Sequence, residues 1–121
     1  MPDENIIPID AQKRNLSVAS GIAASCQQKL AKAEAILNEV VDQTSKSRNA
    51  DEVEELGGRL RRIARSLDTV RFNAKKAALA AENGNVVAAQ TASAACGRAL
   101  SRVRSASLGQ PSIEVQNRHR F

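Results

Sequence analysis

Residues 53–81 read VEELGGRLRRIARSLDTVRFNAKKAALAA. Val53, Leu56, Leu60, Ile63, Leu67, Val70, Ala74, Ala77 and Ala81 recur in it at alternating steps of three and four. That spacing follows one face of an α-helix as a heptad stripe, where a half-buried strand would alternate every second residue. Gly57-Gly58 is the weak point, costing on the order of 2 kcal/mol relative to alanine in a helix interior. Either the helix starts near Arg59 or another backbone comes close to the pair. Because the stripe keeps its phase across the glycines, a continuous helix is the preferred reading.

Two further stripes flank this one. Upstream, Leu16, Ala19, Ala23, Cys26, Leu30, Ala33, Leu37 and Val40 step by three and four, widened by Ile22 and Ile36. Asp10 is a suitable N-cap for a first helix running to about residue 46. The polar stretch 44–49 breaks it, and Asp51 with Glu54 three residues on resembles a capping box that opens the second helix. Downstream, Glu82-Asn-Gly-Asn85 reads as a tight turn, with Gly84 in the left-handed conformation and Asn85 capping the third helix. That helix covers about 86–107, with the stripe Val86, Ala89, Ser93, Cys96, Leu100 and Val103, until Gly109 and Pro111 end it. The expectation is an all-α, up-down-up antiparallel three-helix bundle or coiled coil with heptad seams, its helices at about 10–46, 51–82 and 86–107. Residues 1–9 should be a disordered lead-in, 10–108 the helical bundle and 109–121 a mobile tail.

Composition agrees with helices. Among 121 residues there are 21 alanines, two phenylalanines, one methionine and no tyrosine or tryptophan, and residues 9–110 contain no proline. A sheet sandwich would draw on β-branched and aromatic residues instead. Net charge is +5, but residues 1–58 carry −4 and residues 59–121 carry +9. Such a split means that the halves face each other or that the basic half meets an anionic partner. The acidic start MPDENIIPID lacks an apolar signal segment, and no apolar run approaches the roughly 18 to 20 residues of a membrane span. A cytoplasmic protein with reduced thiols is expected. Cys26 and Cys96 read as small buried apolar residues that the proposed topology puts in one layer with Val70, a regulated disulfide or thiol sensor being the other reading.

The usual catalytic constellations are missing. The one histidine, His119, sits between Arg118 and Arg120 in the tail. The bundle therefore offers no imidazole for general acid–base work, for a nucleophile pair or as a metal ligand. There is no Glu-x-x-His motif, glycine-rich nucleotide loop or Walker loop. The carboxylates Asp51, Glu52, Glu54 and Glu55 open a helix, where interaction with its dipole accounts for them. No enzyme, cofactor or metal is expected.

Two positive features remain. The stripe of the second helix sends Arg61, Arg62, Arg65, Lys75 and Lys76 to its outer face. Only Glu55–Arg59 and Asp68–Arg71 make good local ion pairs, with Glu34 within possible reach of Arg59. The second feature is Phe72, one of two aromatics, which the same register sets opposite the core. Either the register slips there or something else covers the ring: a second copy or a partner. Phe121 at the chain's end is a further candidate anchor.

Val70-Arg-Phe-Asn-Ala-Lys-Lys-Ala-Ala-Leu-Ala-Ala-Glu-Asn-Gly84 resembles the descending helix near the hairpin tip of methyl-accepting chemotaxis receptors. Phe72, Asn73, Ala74 and Gly84 fall on matching positions, over about 15 of 121 residues. Lys75 and Lys76 depart from the small or apolar residues of that family, and its long glycine-rich tip, sensor and transmembrane parts have no counterpart. The resemblance implies a place in bacterial signalling and carries over no functional residue. Together these readings predict a non-enzymatic adaptor, regulator or assembly subunit that binds a protein partner, or itself as a homo-oligomer, through Arg61, Arg62, Arg65, Phe72, Lys75 and Lys76. The alternative is a nucleic-acid-binding accessory protein using Arg61, Arg62, Arg65, Lys75, Lys76, Arg98 and Arg102. The lack of tyrosine and tryptophan removes the commonest base-stacking groups.

Overall fold

The computed structural model describes residues 8–109. They form α1 (Ile9–Lys46), α2 (Ala50–Glu82) and α3 (Val86–Ser107), each packed against the other two, with no strand among the described residues. Residues 1–7 of the expected lead-in and 110–121 of the expected tail, including Arg118, His119, Arg120 and Phe121, lie outside them. Ile9, expected in the lead-in, is already helical, with Pro8 in the N-cap position and no side-chain cap. Asp10 is therefore not the cap but a first-turn acid, well placed against the helix dipole.

The two links follow local chemistry. Asn49, not Asp51, caps α2: its Oδ1 accepts from the backbone N–H of Asp51 at 2.9 Å and of Glu52 at 3.3 Å. Asn49 and Glu52 satisfy the same cap-to-third-residue spacing that Asp51 and Glu54 offered, and the earlier pair captures the turn. At the second link Gly84 takes φ +64°, and Asn85 Oδ1 accepts from Ala88 N–H at 3.0 Å, as expected. α2 runs unbroken through Gly57-Gly58. No neighbouring backbone explains that pair: a Cβ on Gly57 would meet nothing within 4 Å, and one on Gly58 only the Arg61 guanidinium at 3.9 Å.

The buried side chains are mostly small. α1 contributes Ala19, Cys26, Ala33 and Val40; α2 contributes Leu56, Ile63, Leu67, Val70, Asn73, Ala74, Ala77 and Ala80. From α3 come Ala89, Ala92, Cys96, Ala99, Leu100, Val103 and Ala106. The expected stripe of α3 is thus corrected at its edge, with Ala92 rather than Ser93 buried. Ser93 stands at the rim, where Lys29 Nζ donates to its carbonyl at 3.2 Å and to its Oγ at 3.0 Å. Leu16 and Val53 were expected in the core but are 42% and 39% exposed. Leu16 lies beside Gly84, at the α2–α3 turn, and Val53 precedes the point where Arg59 meets the end of α3, so each extends past its neighbours' cover.

Arg59 closes one end of the structure. Its Nη2 pairs with Glu55 on the same helix, and its Nη1 donates to the Ser107 carbonyl at 3.3 Å. The Glu55 pair is the expected one; Glu34, the alternative across the hairpin, is not engaged among the described residues, because the last turn of α3 offers exposed carbonyls and the negative end of a helix dipole. Gly109, at φ +73°, lets the chain pass: a Cβ there would come within 2.9 Å of the Arg59 guanidinium.

These glycines make opposite predictions. Gly57→Ala and Gly58→Ala should each raise unfolding free energy by up to about 1 kcal/mol, since helical alanine fits without a clash. Gly84→Ala should lower it by about 1 kcal/mol or more, because alanine is strained at positive φ. Urea denaturation of the three variants checks all three signs.

Candidate protein-interaction face

α2 presents its buried stripe to α1 and α3, and everything else on that helix is arranged around it. Phe72 lies about 180° from that stripe at 100° per residue. The ring is 59% exposed, so the register does not slip there. Seven residues on, Leu79 is also 59% exposed, on the same side of the helix. Lys76 Nζ stands over the Phe72 ring, 5.0 Å from its centroid, a cation–π contact that leaves the far edge of the ring uncovered.

Arg61, Arg62, Arg65, Lys75 and Lys76 are all exposed on α2 beside these two apolar side chains. The ion pairs seen on the described residues leave these five cations out: Asp42–Lys46 at 2.9 Å, Glu55–Arg59, and Asp68–Arg71 at 3.6 Å. The outcome is a helix face on which two large apolar groups sit among five cations, with the exposed carboxylates Asp68 and Glu82 on the same side. Leu79 had been missed, although its seven-residue spacing from Phe72 was readable in the sequence. Arg98 and Arg102 are exposed as well, but they belong to α3 and not to the Phe72 strip.

The two thiols lie in the interior. Cys26 and Cys96 are both fully buried and free, and Cys96 Sγ approaches the Val70 carbonyl at 3.6 Å. Burial pushes the Cys96 thiol up from its ordinary 9.0 to about 11; the neighbouring Cys26 adds to the rise, and the Lys29 ammonium opposes it. A thiol held protonated in an apolar layer is a poor nucleophile and a poor metal ligand. Among the described residues no three His, Cys, Asp or Glu side chains come together in a metal-binding group. A shallow depression at the α1–α2 link is lined by Gln43, Lys46, Ser47, Arg48, Asn49 and Glu52. It is polar and open, and Asn49 already spends its side-chain oxygen on the helix cap.

The thiol has a stability consequence. The unfolded chain releases the Cys96 proton near pH 9.0, whereas the folded protein holds it until about 11. This contribution is therefore complete below pH 9.0 and is lost as pH rises toward 11. Unfolding free energy should decline over that window, and Cys96→Ala should flatten the decline whatever it does to stability at neutral pH. An unchanged slope in the variant would contradict the assignment.

No helix among the described residues is long and apolar enough to cross a membrane. In comparisons with known proteins, no family model, no curated protein and no solved structure matches this chain.

Proposed function

We propose that this chain is a non-enzymatic cytoplasmic interaction protein, an adaptor, regulator or assembly subunit of bacterial signalling, that works by burying the outer face of α2 against a protein. The observation that carries this reading is the joint exposure of Phe72 and Leu79, each 59%, on the side of α2 opposite the core. A lone exposed apolar residue is ordinary. Two large ones two turns apart on one face form a continuous anchor, and exposed apolar strips with polar rims mark contact sites. The cations around them speed encounter with carboxylates on the partner.

In this reading the helices run up-down-up as an antiparallel bundle with heptad seams. Arg59 near the start of α2 reaching Ser107 at the end of α3 supports opposite directions for those two helices. So does the approach of Cys96 to Val70. Leu16 near the start of α1, lying beside Gly84, supports a parallel course for α1 and α3. The seven-residue recurrence of Ala19, Cys26, Ala33 and Val40 among the buried positions supports the seam in α1. A bundle of this kind holds α2 stiff, so its outer face is presented without an ordering cost at binding.

The five cations, which no ion pair among the described residues engages, also suit nucleic acid, and one experiment separates the readings. A photo-reactive phenylalanine analogue at position 72 should cross-link to protein inside the cell, and charge reversal at Lys75 and Lys76 should reduce the yield several-fold. The same analogue at Gln28, exposed on α1, should give little. Cross-links to nucleic acid alone would transfer the function to the alternative, and equal yields at 72 and 28 would overturn the interaction face. Phe72→Glu should abolish the association while leaving the helical circular dichroism unchanged, since the ring supports no part of the core.

A further inference from the structure

Four exposed residues of α2 flank the Phe72–Leu79 strip at intervals of seven: Arg61, Asp68, Lys75 and Glu82. They share one side of the helix, and their charges alternate plus, minus, plus, minus along it. Such a row is complementary to itself when reversed. Its point of symmetry falls between Arg71 and Phe72, at the apolar anchor.

We propose that the partner covering this face is a second copy of the same chain, packed two-fold with the two α2 helices running in opposite directions past each other at Phe72. The proposal rests on the interaction reading above and names its occupant. In a two-fold antiparallel pair, each flank of one helix lies beside the same flank of the other. Asp68 then meets the partner's Lys75, and Glu82 meets the partner's Arg61, each pair occurring twice. Phe72 packs on the partner's Phe72, and Leu79 lies along the aliphatic stem of the partner's Arg65.

No cation on this strip falls directly opposite another cation. Parallel pairing would bring opposite flanks together and set Arg61 beside the partner's Arg62 and Lys75 beside the partner's Lys76, which is destabilising, so the row selects direction as well as partner. The charges are available for the purpose. The Asp68 side chain is 77% exposed, and its only ion pair among the described residues, with Arg71, is a loose one at 3.6 Å. Lys75 and Glu82 are exposed and belong to none of the ion pairs seen on the described residues. One helix face three heptads long is a small interface beside the roughly 1,200 to 2,000 Å² of stable complexes. The dimer should accordingly be weak and concentration-dependent.

Sedimentation of the whole chain from about 1 µM to about 1 mM tests this. The wild type should pass from monomer to dimer across that range, and Phe72→Glu should stay monomeric. Lys75→Asp alone, or Asp68→Lys alone, should weaken association about tenfold, since attraction becomes repulsion at two symmetric places. The double variant Asp68→Lys, Lys75→Asp should restore it to within about threefold of wild type. Positions 68 and 75 lie about 10 Å apart along one helix. A direct ion pair between them within one chain is out of reach, and repeating the cycle with Arg71→Ala removes the one intrachain bridge, so rescue that persists acts between copies. A wild type that stays monomeric at about 1 mM overturns the second copy as partner. A double variant as weak as the singles overturns it too. Protein cross-links from position 72 to a different chain would, in either case, leave the interaction face itself standing.

Discussion

Everything in this structure depends on how thin its core is. Seven of the buried positions on α2 and α3 are alanines, Ala74, Ala77, Ala80, Ala89, Ala92, Ala99 and Ala106, and across from them on α1 Ala19 and Ala33 fill the same role. The largest fully buried side chains are Ile63, Leu67, Val70 and Val103 with the two cysteines. Small side chains bring helix axes toward the lower end of the roughly 8 to 10 Å range, where dispersion contacts replace bulk. An interior of this kind has no space for a phenyl ring, and inserting one would force side chains off their rotamers. The outward position of Phe72 is thus required by the packing of its opposite face.

The same thinness gives the polar contacts at the rim their importance. Lys29 ties α1 to the Ser93 carbonyl and hydroxyl of α3, and Arg59 ties α2 to the end of α3. Each joins two helices through a partly buried contact. Five of the cationic side chains left over among the described residues stand on the far side of α2. The charge asymmetry along the chain therefore has a spatial meaning: the acids of residues 51–55 cluster in the first turns of α2, and these five cations follow on the same helix between Arg61 and Lys76.

Helix number and, to within a residue, helix limits could be read from the sequence because apolar spacing and turn residues agree on where each helix lies. Gly84 and Asn85 were unambiguous, since one supplies positive φ and the other a short acceptor at the cap. The first turn of α2 was ambiguous for a physical reason: Asn49-Ala-Asp-Glu and Asp51-Glu-Val-Glu offer the same spacing, and only the path of the chain out of α1 decides between them. Alanine hides the edge of a stripe, because it is tolerated both inside and outside. That is why Ala92 was passed over for Ser93. Long-range contacts were the least readable: nothing local in Arg59 tells whether it turns to Glu34 or to the end of another helix. Phe72 was readable because a large apolar residue on a polar face contradicts its surroundings, whereas Leu79, in an alanine-rich run, contradicted nothing nearby.

The central claim is that the Phe72 ring faces solvent in the isolated chain. With two phenylalanines and no tyrosine or tryptophan, the aromatic proton spectrum is simple, and replacing Phe121 by leucine assigns Phe72. A soluble paramagnetic relaxation agent, added to a dilute monomeric sample, reads the exposure of that ring directly. The Phe72 ring lines should broaden nearly as much as those of a short unstructured peptide. Ring lines left sharp under those conditions would mean that the side chain is covered within its own chain, and would contradict it.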